Sequence, residues 1–137
     1  MRVLKAQVSM EYLLVFGIAL AMTIPLVIIF VSQTQNIRAD IADAQINTAA
    51  TKIIDNAETV YYMGEPSQRT LEVEFPYGVN SVSLSNSMLT INITTSDRSY
   101  LVIMETVANI TGNIKTFSGM HVIVFKAINN TVVISDN

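Results

Sequence analysis

The sequence lacks cysteine and carries few charges. With no cysteine among 137 residues, it can form neither disulfide bonds nor thiolate metal sites. This absence leaves the compartment open, because extracellular domains without disulfides exist. Charged residues make up 14% of the chain, and the net charge of −3 arises without a block of like charges. The charge pattern of a nucleic-acid-binding protein is therefore missing, and we expect no nucleic-acid partner.

Groups suited to catalysis are also scarce. The only histidine, His121, lies in a strand pattern, where a lone histidine is usually structural. Glu72 and Glu74 are two residues apart on the expected solvent face of an outer strand, so we interpret them as surface charge rather than an acid–base pair. Asp40 and Asp43 are one helical turn apart, but two carboxylates alone make a weak cation site, and we interpret these also as surface charge. We predict no catalytic residues, no metal site, no cofactor and no enzymatic activity.

What the sequence does have is a long apolar run near its N-terminus. Twenty uncharged residues extend from Tyr12 to Val31, and at about 1.5 Å per residue they span roughly 30 Å, the thickness of the hydrocarbon core of a bilayer. The basic residues Arg2 and Lys5 precede the run, and the next basic residue is Arg38. This asymmetry predicts a cytoplasmic N-terminus.

Two general interpretations of this segment are a cleaved secretory signal peptide and a permanent single-span anchor. Ala19-Leu20-Ala21 offers a small-x-small cleavage pattern, but Glu11 interrupts the usual order of basic head and apolar run, and ten apolar residues follow the cleavage pattern. A permanent anchor explains the length and orientation. It leaves Glu11 unexplained, because a carboxylate at the membrane edge is costly, although the dipole of the first helical turn offsets part of that cost.

A third interpretation comes from the residues Lys5-Ala6-Gln7-Val8-Ser9-Met10-Glu11, which run directly into the apolar segment. They resemble the class III signal peptide of archaeal type IV pilin-like proteins. The family pattern, glutamine-x-serine-x-glutamate, is matched at Gln7, Ser9 and Glu11, whereas the leucine expected four residues later is the apolar Val15. The resemblance implies that a prepilin peptidase cuts between Ala6 and Gln7 and leaves the apolar helix on the mature subunit.

The chemistry of this motif has a physical explanation. Cleavage before Gln7 creates a new ammonium group, which a growing filament can pair with the Glu11 carboxylate of a neighbouring subunit. In a dry helical bundle an unpaired member of such a pair is costly, so the pair would fix the register between subunits.

Helical spacing resumes beyond the apolar run, at Ile37, Ile41, Ala44, Ala50, Ile54, Ala57 and Tyr61. We therefore predict one helix from near Val8 to Tyr62, ended by Gly64 and Pro66. Gly17 and Pro25 are two soft points within it, that is, positions at which we expect the helix to bend most easily. Pro25 removes a backbone hydrogen bond, and this predicts either a kink or a proline that the membrane helix simply tolerates.

After Pro66 the apolar period changes to two, which is typical of half-buried strands. The pattern predicts six short strands: 71–75, 82–84, 89–94, 100–107, 122–126 and 132–134. Turn residues separate them at 76–78, 85–87, 96–98 and 129–130, with a loop through Gly112 and Gly119. The expected fold class is α+β, a type IV pilin-like "lollipop" in which the apolar side of a long N-terminal helix, from Ile37 to Tyr61, covers a small antiparallel sheet or sandwich.

Three Asn-x-Thr triplets, the acceptor sequence for N-glycosylation, begin at Asn92, Asn109 and Asn129. All three lie in the predicted strand region. The patterns suggest that Asn92 and Asn129 are exposed, whereas they do not decide the position of Asn109. The resemblance favours glycosylation, because many archaeal surface filament subunits are glycosylated.

Together these observations predict four segments: a leader peptide at 1–6, a transmembrane or filament-core helix at 7–31, a continuing amphipathic helix at 32–63 and a β head domain at 64–137. The resemblance implies a pilin or minor pilin of an archaeal surface filament, active in adhesion, with its head outside the cell. Its expected partners are other pilin subunits, the prepilin peptidase, the membrane and the pilus assembly machinery. The alternative is a single-span, membrane-anchored extracytoplasmic binding or sensor domain that does not polymerise.

Overall fold

A computed structural model describes the chain at residues 2–95 and 98–137, with side chains at 9–34, 37–95 and 98–137. Helix α1 (Arg2–Met63) comes first and starts earlier than the predicted Val8. Seven strands follow: β1 (Gln68–Phe75), β2 (Val79–Ser85), β3 (Met88–Thr94), β4 (Ser99–Glu105), β5 (Asn109–Asn113), β6 (Gly119–Ile128) and β7 (Thr131–Asp136). The predicted α+β class, a long apolar N-terminal helix with a small β-sheet head, is confirmed.

The chain forms two compact units, Met1–Arg38 and Ala39–Asn137. The boundary falls inside α1, so the second unit contains the C-terminal part of the helix as well as every described strand. We call this second unit the head.

The helix ends where the sequence predicts. Gly64 has a φ of 70°, a left-handed conformation that glycine adopts without steric cost. Its backbone N–H donates to the carbonyl oxygens of Val60 and Tyr61, each at 3.2 Å. These bonds satisfy carbonyl groups that a helix end otherwise leaves without partners.

The strands form two sheets, ordered β1-β6-β7-β5 and β2-β3-β4. Pairing is antiparallel except between β5 and β7, which are parallel. The predicted hairpin around Asn129-Asn130 is present, and both residues have positive φ, as a tight hairpin turn requires. The expectation of a simple antiparallel arrangement of six strands is corrected, because β5 lies in the predicted loop and pairs in parallel with β7.

Strand β5 depends on its neighbour rather than on its own sequence. Of its five residues only Ile110 is buried, so the strand shows no alternating pattern. Gly112 lies opposite Ile134 and has a φ of 135°; a Cβ atom there would lie 1.8 Å from the Ile134 carbonyl oxygen. Glycine is therefore required for the close approach of the two backbones.

The core of the head is formed by α1 and the inner faces of the strands. The buried helix residues recur at helical spacing: Ile46, Ala49, Ala50, Ile53, Ile54, Ala57 and Val60. They pack against strand residues including Phe75, Leu89, Ile91, Ile123 and Phe125. The prediction that the covering face begins at Ile37 is wrong, since Ile37, Ile41 and Ala44 are all exposed. Within α1 the buried face begins at Ile46.

Candidate functional site

The N-terminal unit exposes a membrane-length apolar surface. Along α1 an 18-residue window reaches a mean hydropathy of 2.8, and none of it is buried. Its large side chains face outward on all sides, with Tyr12 72% and Phe30 74% exposed. Soluble proteins rarely expose apolar patches of this size. The segment is compatible with membrane anchoring by its length and composition.

Hydroxyl groups in and just after the apolar run are satisfied within the helix. Thr23 Oγ1 donates to the Ala19 carbonyl oxygen at 2.8 Å, and Ser32 Oγ donates to that of Ile28 at 2.9 Å. Such bonds to the carbonyl four residues earlier remove the need for water as a partner. A lipid or protein environment can therefore surround this surface without leaving these side chains unpaired.

The predicted processing motif is described only in part. Ser9 and Glu11 lie on α1 with exposed side chains. The side chains of Arg2, Lys5, Ala6 and Gln7 lie outside the described residues, so the predicted cleavage position and basic head stay predictions.

The two predicted soft points both lie within continuous helix. A Cβ atom at Gly17 would meet no heavy atom within 4 Å. Helical backbone continues on both sides of Pro25. The proline therefore does not end the helix.

The three glycosylation candidates differ in accessibility. Asn109 and Asn129 are exposed, whereas Asn92 is half-buried on β3, so the expectation for Asn92 is corrected. Its side chain lies in the middle strand of the three-stranded sheet, opposite Ser81 and Leu101. Asn109 Nδ2 donates to Thr131 Oγ1 at 3.4 Å. The structure thus places Asn109 and Asn129 at accessible positions.

The head contains a buried polar pair that the sequence analysis missed. His121 is 0% exposed, and its Nδ1 lies 2.6 Å from Oδ2 of Asp136, whose side chain is 1% exposed. His121 Nε2 lies 2.8 Å from the Phe117 carbonyl oxygen, and the ring packs between Phe75 and Phe117 at centroid distances of 4.4 and 4.1 Å. The pair joins β6 to the end of β7, which agrees with the structural role expected for His121.

Polar contacts join α1 to β4 and to Thr106, the residue that follows β4. The Tyr100 hydroxyl donates to Asp43 Oδ1, and Thr106 Oγ1 donates to Glu58 Oε1 at 3.0 Å. The interpretation of Asp43 as surface charge is therefore corrected: it is half-buried and hydrogen-bonded. Burial, together with the hydrogen bond and negative charge of Asp43, raises the pKa of Tyr100 to about 12.

The remaining acidic side chains do not converge on a metal site. Glu72 and Glu74 are exposed on β1, an edge strand, which confirms their interpretation as surface charge. Among the side chains at 9–34, 37–95 and 98–137, no group of three or more His, Cys, Asp or Glu could hold a metal ion. Comparisons with models of known families, with curated proteins and with solved structures gave no match.

Proposed function

We propose that the chain is a structural subunit of an archaeal type IV pilus-like surface filament, a pilin or minor pilin. After removal of a leader between Ala6 and Gln7, the helix from Gln7 to Val31 packs with the helices of other subunits. The N-terminus begins in the cytoplasm and the head lies outside the cell, where the filament acts in attachment. The partners are the membrane, the prepilin peptidase, the assembly machinery and other pilin subunits.

The observation that carries this proposal is the combination of an exposed apolar helix with the motif at its start. Apolar side chains exposed on all sides of α1 need either lipid or neighbouring apolar helices around them. Lipid supplies that environment before assembly, and a helical bundle supplies it in a filament. The Gln7, Ser9 and Glu11 motif favours the filament, because a simple anchor has no use for a carboxylate at this position.

The proposal predicts a mature chain that begins at Gln7. Mass spectrometry of the first peptide, from cell membranes or from filaments sheared off the cells, measures this directly. Gln7 as the first residue supports prepilin-type processing. Met1 would favour the non-polymerising anchored domain, and Met22 a conventional secreted domain; either result would contradict the proposal.

Glu11 separates assembly from simple anchoring. We expect Glu11→Ala to insert into the membrane at the wild-type level but to form no filaments, because the Gln7 ammonium group of a neighbour loses its partner. Glu11→Asp is the matched control, since it keeps the charge, and it should retain filaments. Electron microscopy of cells alongside membrane immunoblots gives both readouts. Normal filaments from Glu11→Ala would refute the charge-pairing role.

A further inference from the structure

We propose that neighbouring copies of this chain contact each other through two different surfaces of the head, a ridge on β4 and a groove between α1 and β1. The inference rests on the proposed filament and adds the contact between heads to it. The β4 ridge consists of Leu101, Ile103 and Glu105. The β1 groove is lined mainly by Ile41, Ala44, Thr48, Ala49, Lys52 and Val73.

The β1 groove is a largely apolar cavity at one edge of the head. It has a volume of about 330 Å³ and lies beside β1, the outer strand of the four-stranded sheet. Ile41 on its helix wall is 52% exposed. Lys52 contributes a positive charge, with Glu74 on the strand side. The groove can therefore accept apolar side chains accompanied by a carboxylate.

The β4 ridge has the complementary composition. Leu101 is 58% exposed and Ile103 is 55% exposed, and the exposed Glu105 follows them on the same face of the strand. Among the described strands, β4 pairs only with β3 and is the edge of its sheet. Large apolar side chains side by side on an edge strand are a typical contact surface for another chain.

The ridge and the groove lie at the same height along the helix. Tyr100 contacts Asp43 and Met104 Sδ contacts Thr51 Oγ1 at 4.0 Å, so β4 and α1 run in the same direction. Eight helical residues rise about 12 Å and four strand residues about 13 Å, and the two spacings agree. Leu101 and Ile103 are therefore level with helix residues 43–51, the same stretch that forms most of the groove.

The two surfaces lie at opposite ends of the series of strands. The order β1-β6-β7-β5 continues toward β2-β3-β4 through a bond from the Ile110 N–H in β5 to the Asn86 carbonyl oxygen, at 2.5 Å, in the β2–β3 turn. This leaves β1 at one end and β4 at the other. In the proposed contact, a second copy lies alongside in the same orientation, with its ridge at the groove of the first.

In this arrangement Lys52 offers Glu105 a partner of opposite charge, beside Glu74 of the groove itself. In the side-by-side placement, Glu105 of one copy lies near Lys52 of the next. Among the residues with described side chains, neither has an ion-pair partner within its own chain. Because the two surfaces differ, each copy uses both, and the contact generates an open series of copies rather than a closed dimer.

Cysteine cross-linking tests the contact directly, because the chain has no cysteine of its own. In the full-length protein, Thr48→Cys places a thiol in the groove and Ile103→Cys places one on the ridge. Cells or sheared filaments carrying both changes are oxidised and run on a non-reducing gel. Since a disulfide needs Cα atoms about 4.4–6.8 Å apart, we expect the double variant to form a ladder of dimers, trimers and larger species.

Matched controls identify the contact. Each single-cysteine variant forms at most dimers, because one thiol makes one bond. Thr48→Cys with Ser81→Cys places the second thiol on the exposed β2 strand, outside the ridge, and should give no ladder. Lys52→Glu in the cross-linking background should lower the yield of the ladder several-fold, and adding Glu105→Lys should restore it.

The outcomes separate this inference from the proposed function. Filaments without a ladder would overturn the head contact and leave the proposed filament standing. An equal ladder from the Ser81→Cys control would also overturn the head contact. A ladder in membranes without filaments would support the head contact and contradict the filament. Absence of both filaments and ladder would overturn both.

Discussion

Replacing Asp136 with alanine should destabilise the head strongly. Its Oδ2 accepts hydrogen bonds from His121 Nδ1 at 2.6 Å and from the Lys115 backbone N–H at 3.0 Å. Asp136→Ala leaves both donors without their acceptor, and His121 is fully buried between two phenylalanine rings. Breaking a buried pair by removing one partner costs about 3–5 kcal/mol.

The substitution also removes one unfavourable contribution, which reduces this loss of stability. Asp136 Oδ1 is buried without a hydrogen-bond partner, a cost of about 1–3 kcal/mol in the native protein, and the substitution removes it. We therefore expect a net loss of about 2 kcal/mol. With a urea dependence of about 2 kcal/mol per M for a small domain, the unfolding midpoint falls by about 1 M.

The measurement is urea unfolding of the full-length protein in detergent, followed by tyrosine fluorescence, since the chain has five tyrosines and no tryptophan. His121→Phe is the matched partner variant, because it keeps an aromatic ring between Phe75 and Phe117. The double variant should be less destabilised than the sum of the single variants by about 1.5 kcal/mol or more. Additive effects, or a loss below about 1 kcal/mol for Asp136→Ala, would refute the reasoning.

Two further predictions concern the contact of Tyr100 with Asp43 and the strand β5. The pKa of Tyr100 is raised to about 12 in the folded protein, so as the pH rises this tyrosine ionises in the unfolded chain before it ionises in the folded one. The stability that it contributes is therefore complete below about pH 10 and is lost between about pH 10 and 12. Urea midpoints across this range should fall less in Tyr100→Phe, and equal falls would contradict the assignment. Gly112→Ala should cost more than about 2 kcal/mol, because its Cβ meets the Ile134 carbonyl oxygen at 1.8 Å. Gly119→Ala is the control for backbone strain alone, because Gly119 has a similar φ of 124° but a Cβ atom there would meet no heavy atom within 4 Å. An equal loss of stability in Gly119→Ala would contradict the role of the steric clash at Gly112.

Local patterns predicted most of the secondary structure. The apolar run, the helical spacing beyond it and Gly64 predicted one long helix, which the structure gives as Arg2–Met63. Alternation of apolar and polar residues located six of the seven described strands. Both signals depend on neighbours a few residues apart, so they can be recognised without knowledge of the tertiary fold.

Strand β5 could not be predicted in the same way. Asn109–Asn113 contains one buried residue and a glycine, a composition that favours a loop. Its extended form depends on hydrogen bonds to β7, about twenty residues later in the chain. Strand formation at such a segment is decided by its pairing partner rather than by its own propensity.

Within the candidate site, the sequence by itself determined the membrane-length apolar surface, because hydrophobicity over twenty residues needs no partner to be recognised. Only the tertiary structure decided which part of α1 is buried in the head, since Ile41 and Ile46 have the same side chain but only Ile46 is buried. It also brought Asp136 to His121 and aligned β4 with α1. These contacts join residues 15 to 57 positions apart, and such separations are bridged only by the fold.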